Sequence, residues 1–404
     1  MLLFSYEIKK VFSKKLIWII LVLFLILDIV KVGILYHDTV GTDTLADGRQ
    51  AVINEIKGPI ISENLSFVIE KKSQLDTMVA DQTFQTDYDN STYSGYQFGD
   101  SIIFNEIYDE LDYAYHYPNL LQKIKTKAEE NLILYSNNSY ETKKAQKILD
   151  TYGDRQIVNY YDTTGYEVYF SYDFSTLLVL LFLLFTLTPI FAEESEVKMD
   201  LLILSTPNGR KPITKAKLSA AVTITLGSTL LFLLLDLLLF FTLFPLEGGE
   251  NPLYSLQSFA YTTFNGSIIQ YAILSICLKL IGSIFFSLLY LLFSSVFTTV
   301  LPAIIGSGSV LFLLIFGNDF IPINWLRQIS PLSLFINRTL FQAFTQINCF
   351  QNPIDSIYLL LGVVIVLSVI MLFLILLLQG RNRISKQSIR AGEKRYENVF
   401  NRTQ

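Results

Sequence analysis

Residues 191–217 read Phe-Ala-Glu-Glu-Ser-Glu-Val-Lys-Met-Asp-Leu-Leu-Ile-Leu-Ser-Thr-Pro-Asn-Gly-Arg-Lys-Pro-Ile-Thr-Lys-Ala-Lys, and a long apolar run flanks them on each side. Acidic side chains come first, an apolar run follows, Pro-Asn-Gly marks a turn, and basic side chains close the stretch. Acids near a helix start and a Pro-Asn-Gly stop are typical of a short helix, here one lying at a membrane surface. An ordinary charged loop between two spans fits the same residues equally well, so the spacing leaves both interpretations open.

The composition requires lipid around much of the chain. Of the 404 residues, 51% are hydrophobic and 14% aromatic, and the mean hydropathy is +0.42, which is too apolar for a soluble core alone. Several apolar runs reach the roughly 20 residues that a bilayer helix needs. The sequence therefore predicts a surface helix at 1–15, a first span at 16–35, an outer domain at 36–173, a second span at 174–191, a cytoplasmic loop at 192–217, spans three to five within 218–316, short outer helices at 317–355, a sixth span at 356–379 and a basic tail at 380–404.

Basic residues set the predicted orientation of these spans. Three segments rich in lysine and arginine, namely the N-terminus, the loop and the tail, fall on one side if the chain crosses six times. Because cytoplasmic flanks carry an excess of Lys and Arg, we expect both termini and the loop in the cytoplasm. The first 15 residues are also amphipathic, which suits an interfacial helix as well as a simple basic flank.

The predicted outer domain is polar, rich in tyrosine, and holds roughly twice as many acids as bases. That balance is the opposite of a cytoplasmic loop. Apolar residues recur at helical spacing in 52–79, 102–134 and 142–158, so we expect a mainly helical domain. Tyrosines can hold an amphipathic ligand, but more often they pack a small domain or touch lipid headgroups. The residues concerned are Tyr113, Tyr115, Tyr117, Tyr160 and Tyr161.

Four charged residues fall inside predicted spans: Asp28, Lys31, Asp236 and Lys279. A lone charge at a helix centre costs about 2.5–3.5 kcal/mol on insertion scales, so such charges pair or face water. We therefore predict a polar layer in the outer half of the membrane, with Asp236 opposite Lys279. Lys31 is expected to reach outward beside Asp28. The layer either contacts substrate or protons or holds adjacent helices together, and we favour the structural pair.

Motifs for chemistry are missing from the sequence. No glycine-rich loop with a following lysine is present to cradle phosphates, and no serine lies in a nucleophile elbow. The two histidines and the two cysteines, Cys277 and Cys349, have no partners at metal-ligand spacing. The sequence therefore predicts no catalytic site and no metal site in this chain.

The loop resembles that of a known family. The acid cluster, Leu-Leu-Ile-Leu-Ser-Thr-Pro, Gly-Arg and the lysines after them, placed between the second and third spans, resemble the ABC type-2 exporter permeases. In that family this loop carries a coupling helix that docks on an ATPase subunit. The resemblance covers about two thirds of the chain, including the short outer helices before the last span. One departure is Val197-Lys198-Met199, where the family often has Gly-Thr, and it leaves the start of the coupling helix open.

The resemblance implies an all-α integral membrane protein with six transmembrane helices and a mainly helical extracellular domain between the first two. It implies a permease subunit that binds no cofactor itself, with ATP and Mg²⁺ on a separate ABC ATPase subunit. A second permease chain, identical or related, and membrane lipid are the other expected partners, and nucleic acid is not. The residues expected to dock on the ATPase are Glu193, Glu194, Glu196, Leu201, Leu202, Arg210 and Lys211.

The substrate is open at this stage. In the family that the chain resembles, a large domain between the first two spans goes with export of amphipathic peptides, lipids or drugs. That export often protects against antimicrobial peptides. Ion efflux and a membrane sensor that transports nothing are the alternatives. A secondary transporter fits less well, because the chain has no internal repeat and its charges lie away from the midplane. The abundance of Ile, Lys, Asn and Tyr is typical of an AT-rich bacterial source, and we expect a multi-pass protein of the cell membrane.

Overall fold

The computed structural model describes residues 2–80, 93–153, 155–199, 210–320 and 329–380. Within these residues, six helical segments are long and apolar enough to cross a membrane. Helices dominate, and the β-structure is limited to two short pairs. The prediction of an all-α membrane protein with six candidate spans is confirmed.

The spans and the helices beside them begin and end as follows. A surface helix, α1, precedes the first span, α2; the second span is a broken run, α7 to α9; and four further helices, α10, α11, α12 and α14, complete the set. The bounds are Leu2–Phe12 for α1, Lys15–Val40 for α2, Thr164–Ser171 for α7, Phe174–Leu187 for α8, Pro189–Glu196 for α9, Arg210–Leu243 for α10, Ile268–Val296 for α11, Val300–Phe320 for α12 and Ser356–Gly380 for α14.

The second span forms the centre of the membrane part. In its most apolar window 72% of the residues are buried, against 22% in α2 and 17% in the fifth span. Leu180, Leu183 and Leu187 of α8 are almost fully buried, and they belong to the largest apolar cluster. Outward faces of α2, α12 and α14 expose large apolar side chains such as Trp18, Leu313 and Phe373. Those exposed faces are the surfaces that a membrane protein presents to lipid.

A capping box fixes the start of the span α11. Ser267 caps the helix by accepting a hydrogen bond from the Gln270 amide at 3.2 Å, and the Gln270 side chain accepts one from the Ser267 amide at 3.0 Å. This reciprocal capping box satisfies two amides that a helix start would otherwise leave unpaired. With 29 residues, the helix measures roughly 44 Å at 1.5 Å per residue, so it must tilt within a bilayer.

The domain between the first two spans, residues 41–163, is called the inserted domain below. It contains α3 (Asp43–Ile56), α4 (Ser62–Ala80), α5 (Gln97–Leu134), α6 (Ser139–Tyr152) and a small sheet of β1 (Gly58–Pro59) with β2 (Asn159–Tyr160). Apolar side chains of α3, α4 and α5 form its core, including Val52, Ile56, Val68, Phe104 and Leu111.

The apolar positions at helical spacing in 52–79 are divided between two helices, α3 and α4. Gly58 has φ +109° and Pro59 follows it, so the backbone leaves the helix and pairs with β2 instead. A glycine tolerates this conformation, and a proline cannot donate the next helical hydrogen bond. The break separates α3 from α4.

Tyrosines fasten the inserted domain to the loop after α10. The Tyr113 hydroxyl donates to the Tyr254 carbonyl oxygen at 2.8 Å, and the Tyr117 ring stacks on Tyr254 with centroids 5.3 Å apart. The Tyr152 hydroxyl donates to the carbonyl of Tyr261 at 2.6 Å. Packing, the commoner role in the sequence prediction, therefore accounts for Tyr113 and Tyr117.

The segment before α14 differs from the two short helices predicted within 317–355. Residues 321–328 lie outside the described chain, and the rest forms a 3-10 turn (Pro331–Leu334), a one-turn helix α13 (Arg338–Phe341) and a hairpin. Strands β3 (Gln346–Cys349) and β4 (Asn352–Asp355) pair antiparallel, with positive φ at Phe350 and Gln351 in the turn. Lysines of α6 hold this hairpin, because Lys147 bonds Asp355 at 2.8 Å and Lys143 bonds Asn352 at 2.7 Å.

Candidate functional site

Three helix ends meet where residues 197–209 connect α9 to α10. The Glu194 carboxylate of α9 accepts a hydrogen bond from Lys10 of α1 at 2.7 Å and another from Lys217 of α10. Lys217 also donates to the Ile190 carbonyl at 3.1 Å, and its ammonium lies 4.7 Å from the Phe191 ring centroid. One carboxylate therefore ties the N-terminal helix to both helices that flank the loop.

Lys217 is the most buried member of this group. Only 2% of its side chain is exposed, and 12% of that of Glu194. A buried ion is tolerated only when it is paired and its hydrogen bonds are satisfied. Lys217 meets this requirement through Glu194, the Ile190 carbonyl and the Phe191 ring. We call Lys10, Glu194 and Lys217 the basal network.

Further polar contacts surround the basal network. Lys14 bonds Glu193 at 2.5 Å, and Glu196 accepts a hydrogen bond from the amide of Val300 at 3.0 Å, at the start of α12. Glu7 of α1 is buried, and burial raises the pKa of its carboxyl above the ordinary value. Burial lowers the pKa of Lys10, but the hydrogen bond to Glu194 and the charges of Glu194, Glu7 and Glu193 together outweigh that effect, so the pKa is raised. The acids of α9 thus bond to Lys10 of α1, to Lys14 just after it, to Lys217 of α10 and to the first backbone amide of α12.

The predicted docking residues fall into three groups: those bonded within the chain, those outside the described residues, and one that is exposed. Glu194 lies between two lysines of its own chain, with 12% of its side chain exposed, and its docking role stays a prediction. Glu193 and Glu196 also bond to their own chain. Leu201, Leu202 and the Arg210 side chain lie outside the described residues, whereas Lys211 is exposed at the start of α10.

The lysines that complete the network were not singled out from the sequence as partners of these acids. Lys10 lies in the last turn of α1, Lys14 follows the end of that helix, and Lys217 lies two turns into α10. Nothing local in the sequence indicates that α1 packs across the ends of α9 and α10.

The second group of charges lies deep in the spans. Asp28 of α2 is fully buried and Asp236 of α10 is 2% exposed. The Tyr172 hydroxyl donates to Asp28 at 2.5 Å, and the Ser175 hydroxyl donates to Asp236 at 2.6 Å. The remaining oxygen of each carboxylate, Oδ2 of Asp28 and Oδ1 of Asp236, is buried and has no hydrogen-bond partner among the described residues.

This arrangement corrects the predicted pairs. Among the described residues, Asp236 bonds to Ser175, and no ion pair within 4.0 Å joins it to Lys279. Lys31 is exposed, whereas Asp28 is fully buried. Depth along a helix is readable from the sequence, but the direction in which each face points depends on packing. A polar layer that contacts substrate or protons stays a prediction.

No group of three or more His, Cys, Asp or Glu side chains that could hold a metal occurs in the described part of the chain. Cys277 and Cys349 are both free thiols, one exposed and one half-buried.

Comparison with known proteins gives one family. A family model described as "ABC-2 family transporter protein" matches residues 1–380. Neither a curated protein nor a solved structure matches the chain significantly.

Proposed function

The chain belongs to the ABC-2 transporter family, and from this membership we propose that it is the permease subunit of an ATP-driven exporter. A transport permease of this family is a multi-pass membrane component and not itself the ATPase. ATP and Mg²⁺ would bind a separate ABC ATPase subunit. A second permease chain, identical or related, would complete the pathway within a cell membrane, with both termini in the cytoplasm and lipid around the exposed helix faces.

The basal network is the observation that carries this proposal. The loop that would dock on an ATPase leaves from α9 and enters α10, and Glu194 and Lys217 connect these two helices directly. Lys10 adds α1 to the same unit. A displacement of the loop would therefore move the second and third spans together. Without such a link, a flexible loop would absorb the displacement.

The energetics favour a rigid connection. Removing one partner of a buried ion pair costs about 3–5 kcal/mol, because the other charge is left buried and unpaired. The pair therefore resists separation during a movement. The buried second span continues from α9 through α8 into the protein interior. Movement at the base would reach the far end of this span.

Residues near the loop divide into two roles under this proposal. Lys211, exposed at the start of α10, together with Leu201, Leu202 and Arg210, would contact the ATPase. Glu194 would act as a positioning residue that holds α9 against α10. The exported substrate would be an amphipathic peptide, lipid or drug, including antimicrobial peptides, and the inserted domain would shape its path.

Affinity purification tests the association. The chain, tagged and extracted in mild detergent, is expected to copurify with an ABC ATPase encoded beside it. Lys211→Glu should reduce the amount of ATPase recovered several-fold, because it reverses a charge at the contact. Lys123→Glu, an exposed lysine of α5, is the matched control and should leave recovery unchanged. A homogeneous preparation that transports with no ATPase bound would overturn the proposal.

A further inference from the structure

A cavity of about 590 Å³ lies between the inserted domain and the ends of two spans. Its walls come from the last residues of α2, from α3, from α5, and from residues 243–245 at the end of α10. Cavities of 300–1,000 Å³ are the usual size for sites that bind small organic ligands. Its position, where the first and third spans reach the inserted domain, is open to a molecule passing along either span.

The charge of the cavity wall is strongly one-sided. The charged residues that line it are Asp38, Asp47, Glu106, Glu110, Asp162 and Arg49. Five carboxylates against one guanidinium leave a formal excess of four negative charges. Like charges gathered on one concave surface raise the local concentration of oppositely charged ligands.

The one arginine is already occupied. Arg49 donates to Glu106 at 3.0 Å, to Glu110 at 2.8 Å and to the Thr164 hydroxyl at 3.0 Å, and only 15% of its side chain is exposed. The Tyr160 hydroxyl donates to the other oxygen of Glu110 at 2.7 Å. Arg49 is therefore not free to attract an anion into the cavity.

Other carboxylates on the wall remain open to the cavity. The Asp38 side chain is 68% exposed and that of Glu106 57%, and Asp47 is exposed as well. Asp38 and Asp47 can approach a ligand without first losing a buried contact, whereas Glu106 already accepts a hydrogen bond from Arg49 at 3.0 Å. The cavity therefore presents negative charge to an entering ligand.

The wall also has an apolar part. Val40 and Leu45 contribute from the inserted-domain side of α2 and α3, Ile102 from α5, and Leu243 and Phe244 from the end of α10. A small inorganic cation gains nothing from such a surface. A cation that carries an apolar body gains both charge attraction and burial, at roughly 25 cal/mol per Å² of apolar area removed from water.

A second, smaller cavity continues the same pattern. It has about 230 Å³ and shares Glu106, Glu110 and Thr164 with the first. Asp109 and Glu167 add two carboxylates, and no lysine or arginine lines it. Its aromatic residues, Tyr113, Tyr160 and Tyr161, offer ring faces that attract cations. Both cavities therefore favour a positively charged ligand.

We propose that the cavity between the inserted domain and the ends of α2 and α10 binds an organic cation with an apolar body. Resting on the proposed export function, this class is the substrate that the permease moves. The carboxylates Asp38, Asp47 and Glu106 attract the charge, and Leu45, Ile102 and Phe244 pack against the body.

Two ions of the same shape and opposite charge test the proposal. The purified chain in nanodiscs, with no ATPase present, is titrated with tetraphenylphosphonium and, separately, with tetraphenylborate. Tetraphenylphosphonium should bind at least about tenfold more tightly, and its affinity should fall as salt screens the carboxylates. Equal binding of both ions, or tighter binding of tetraphenylborate, would overturn the proposal.

Variants locate the binding. Asp38→Asn with Asp47→Asn should weaken tetraphenylphosphonium binding about fivefold or more, because two attracting charges are removed. Glu63→Gln on the exposed part of α4 is the matched control and should change nothing. Ala46→Phe places a ring among the lining residues and should block binding without changing the charge. Thermal unfolding verifies that each variant is folded, and unchanged affinity in folded Asp38/Asp47 and Ala46 variants would contradict the assignment.

This assay separates the two proposals. Because it uses no ATPase and no nucleotide, loss of cation selectivity refutes the cavity alone. Failure to copurify an ATPase refutes the exporter and leaves the binding result standing.

Discussion

The two ends of the membrane bundle use charge in opposite ways. At the base, Glu194 lies between Lys10 and Lys217, and the carboxylate and both ammonium groups bond within the chain. At the inserted domain, the cavity wall has five carboxylates and one arginine, and Arg49 pairs with three of them, Glu106, Glu110 and Asp162. Paired and buried charges fix helices relative to one another, whereas exposed charges of one sign remain available to a ligand. Our two proposals follow this difference: transmission of movement at the base and binding at the opposite end.

A substitution that disrupts the basal network should have the largest effect on stability. Lys217→Met removes one partner of a buried pair and leaves Glu194 with Lys10 alone, so we expect a loss of about 3–5 kcal/mol in the free energy of unfolding. Thermal unfolding in detergent measures it as a lower Tm. Lys215→Met, exposed on the same helix, is the control and should change stability by less than about 0.5 kcal/mol.

The double variant Glu194→Gln with Lys217→Met sharpens that result. It removes both charges, so the protein should recover much of the stability lost in Lys217→Met. Recovery separates an ion pair from simple loss of packing by the lysine stem. Equal destabilisation in the single and double variants would contradict the pairing.

A substitution in the cavity wall should reduce stability less than one in the basal network, and it should change the affinity for the ligand. Arg49→Gln removes hydrogen bonds to Glu106 and Glu110 at a partly open site, and we expect a loss of about 1.5–3 kcal/mol from bonds to charged groups. The substitution also raises the formal excess of negative charge in the cavity wall by one. Tetraphenylphosphonium should therefore bind several-fold more tightly to Arg49→Gln, while Lys217→Met leaves its affinity unchanged. Weaker binding to a folded Arg49→Gln variant would show that the arginine, and not the acid excess, forms the site.

Hydropathy predicted the membrane part well for a physical reason. Spans must be long and apolar wherever they lie, so the runs at 16–35 and 356–379 identify α2 and α14 directly. Local chemistry gave some boundaries too, since Ser267 and Gln270 form a capping box that a sequence displays. The exact pairing of charges depends on something else. It requires knowing how each helix is rotated about its axis.

That rotation explains the errors in the predicted sites. Counting residues placed Asp236 and Lys279 at similar depth, but Asp236 accepts a hydrogen bond from Ser175 instead. The acids before the loop were predicted to face a partner, yet Glu194 accepts hydrogen bonds from Lys10 and Lys217 of its own chain. The hairpin β3–β4 forms where short helices were predicted. Asp236 and Ser175 lie 61 positions apart and Glu194 and Lys10 lie 184 apart, so spacing along the chain could not reveal these pairs.

The most direct test of the account measures movement across the base. In a background with Cys277→Ser and Cys349→Ser, spin labels are placed at Ser171 and Tyr358, half-buried or exposed positions at the inserted-domain end of the second and sixth spans. The distance between them is measured by pulsed electron paramagnetic resonance in nanodiscs, with the ATPase bound, before and after adding ATP. The account predicts that ATP changes this distance in the otherwise unaltered chain, and that Glu194→Gln with Lys217→Met abolishes the change while the ATPase and ATP stay bound. The same ATP-driven change in the folded double variant would contradict transmission through the basal network.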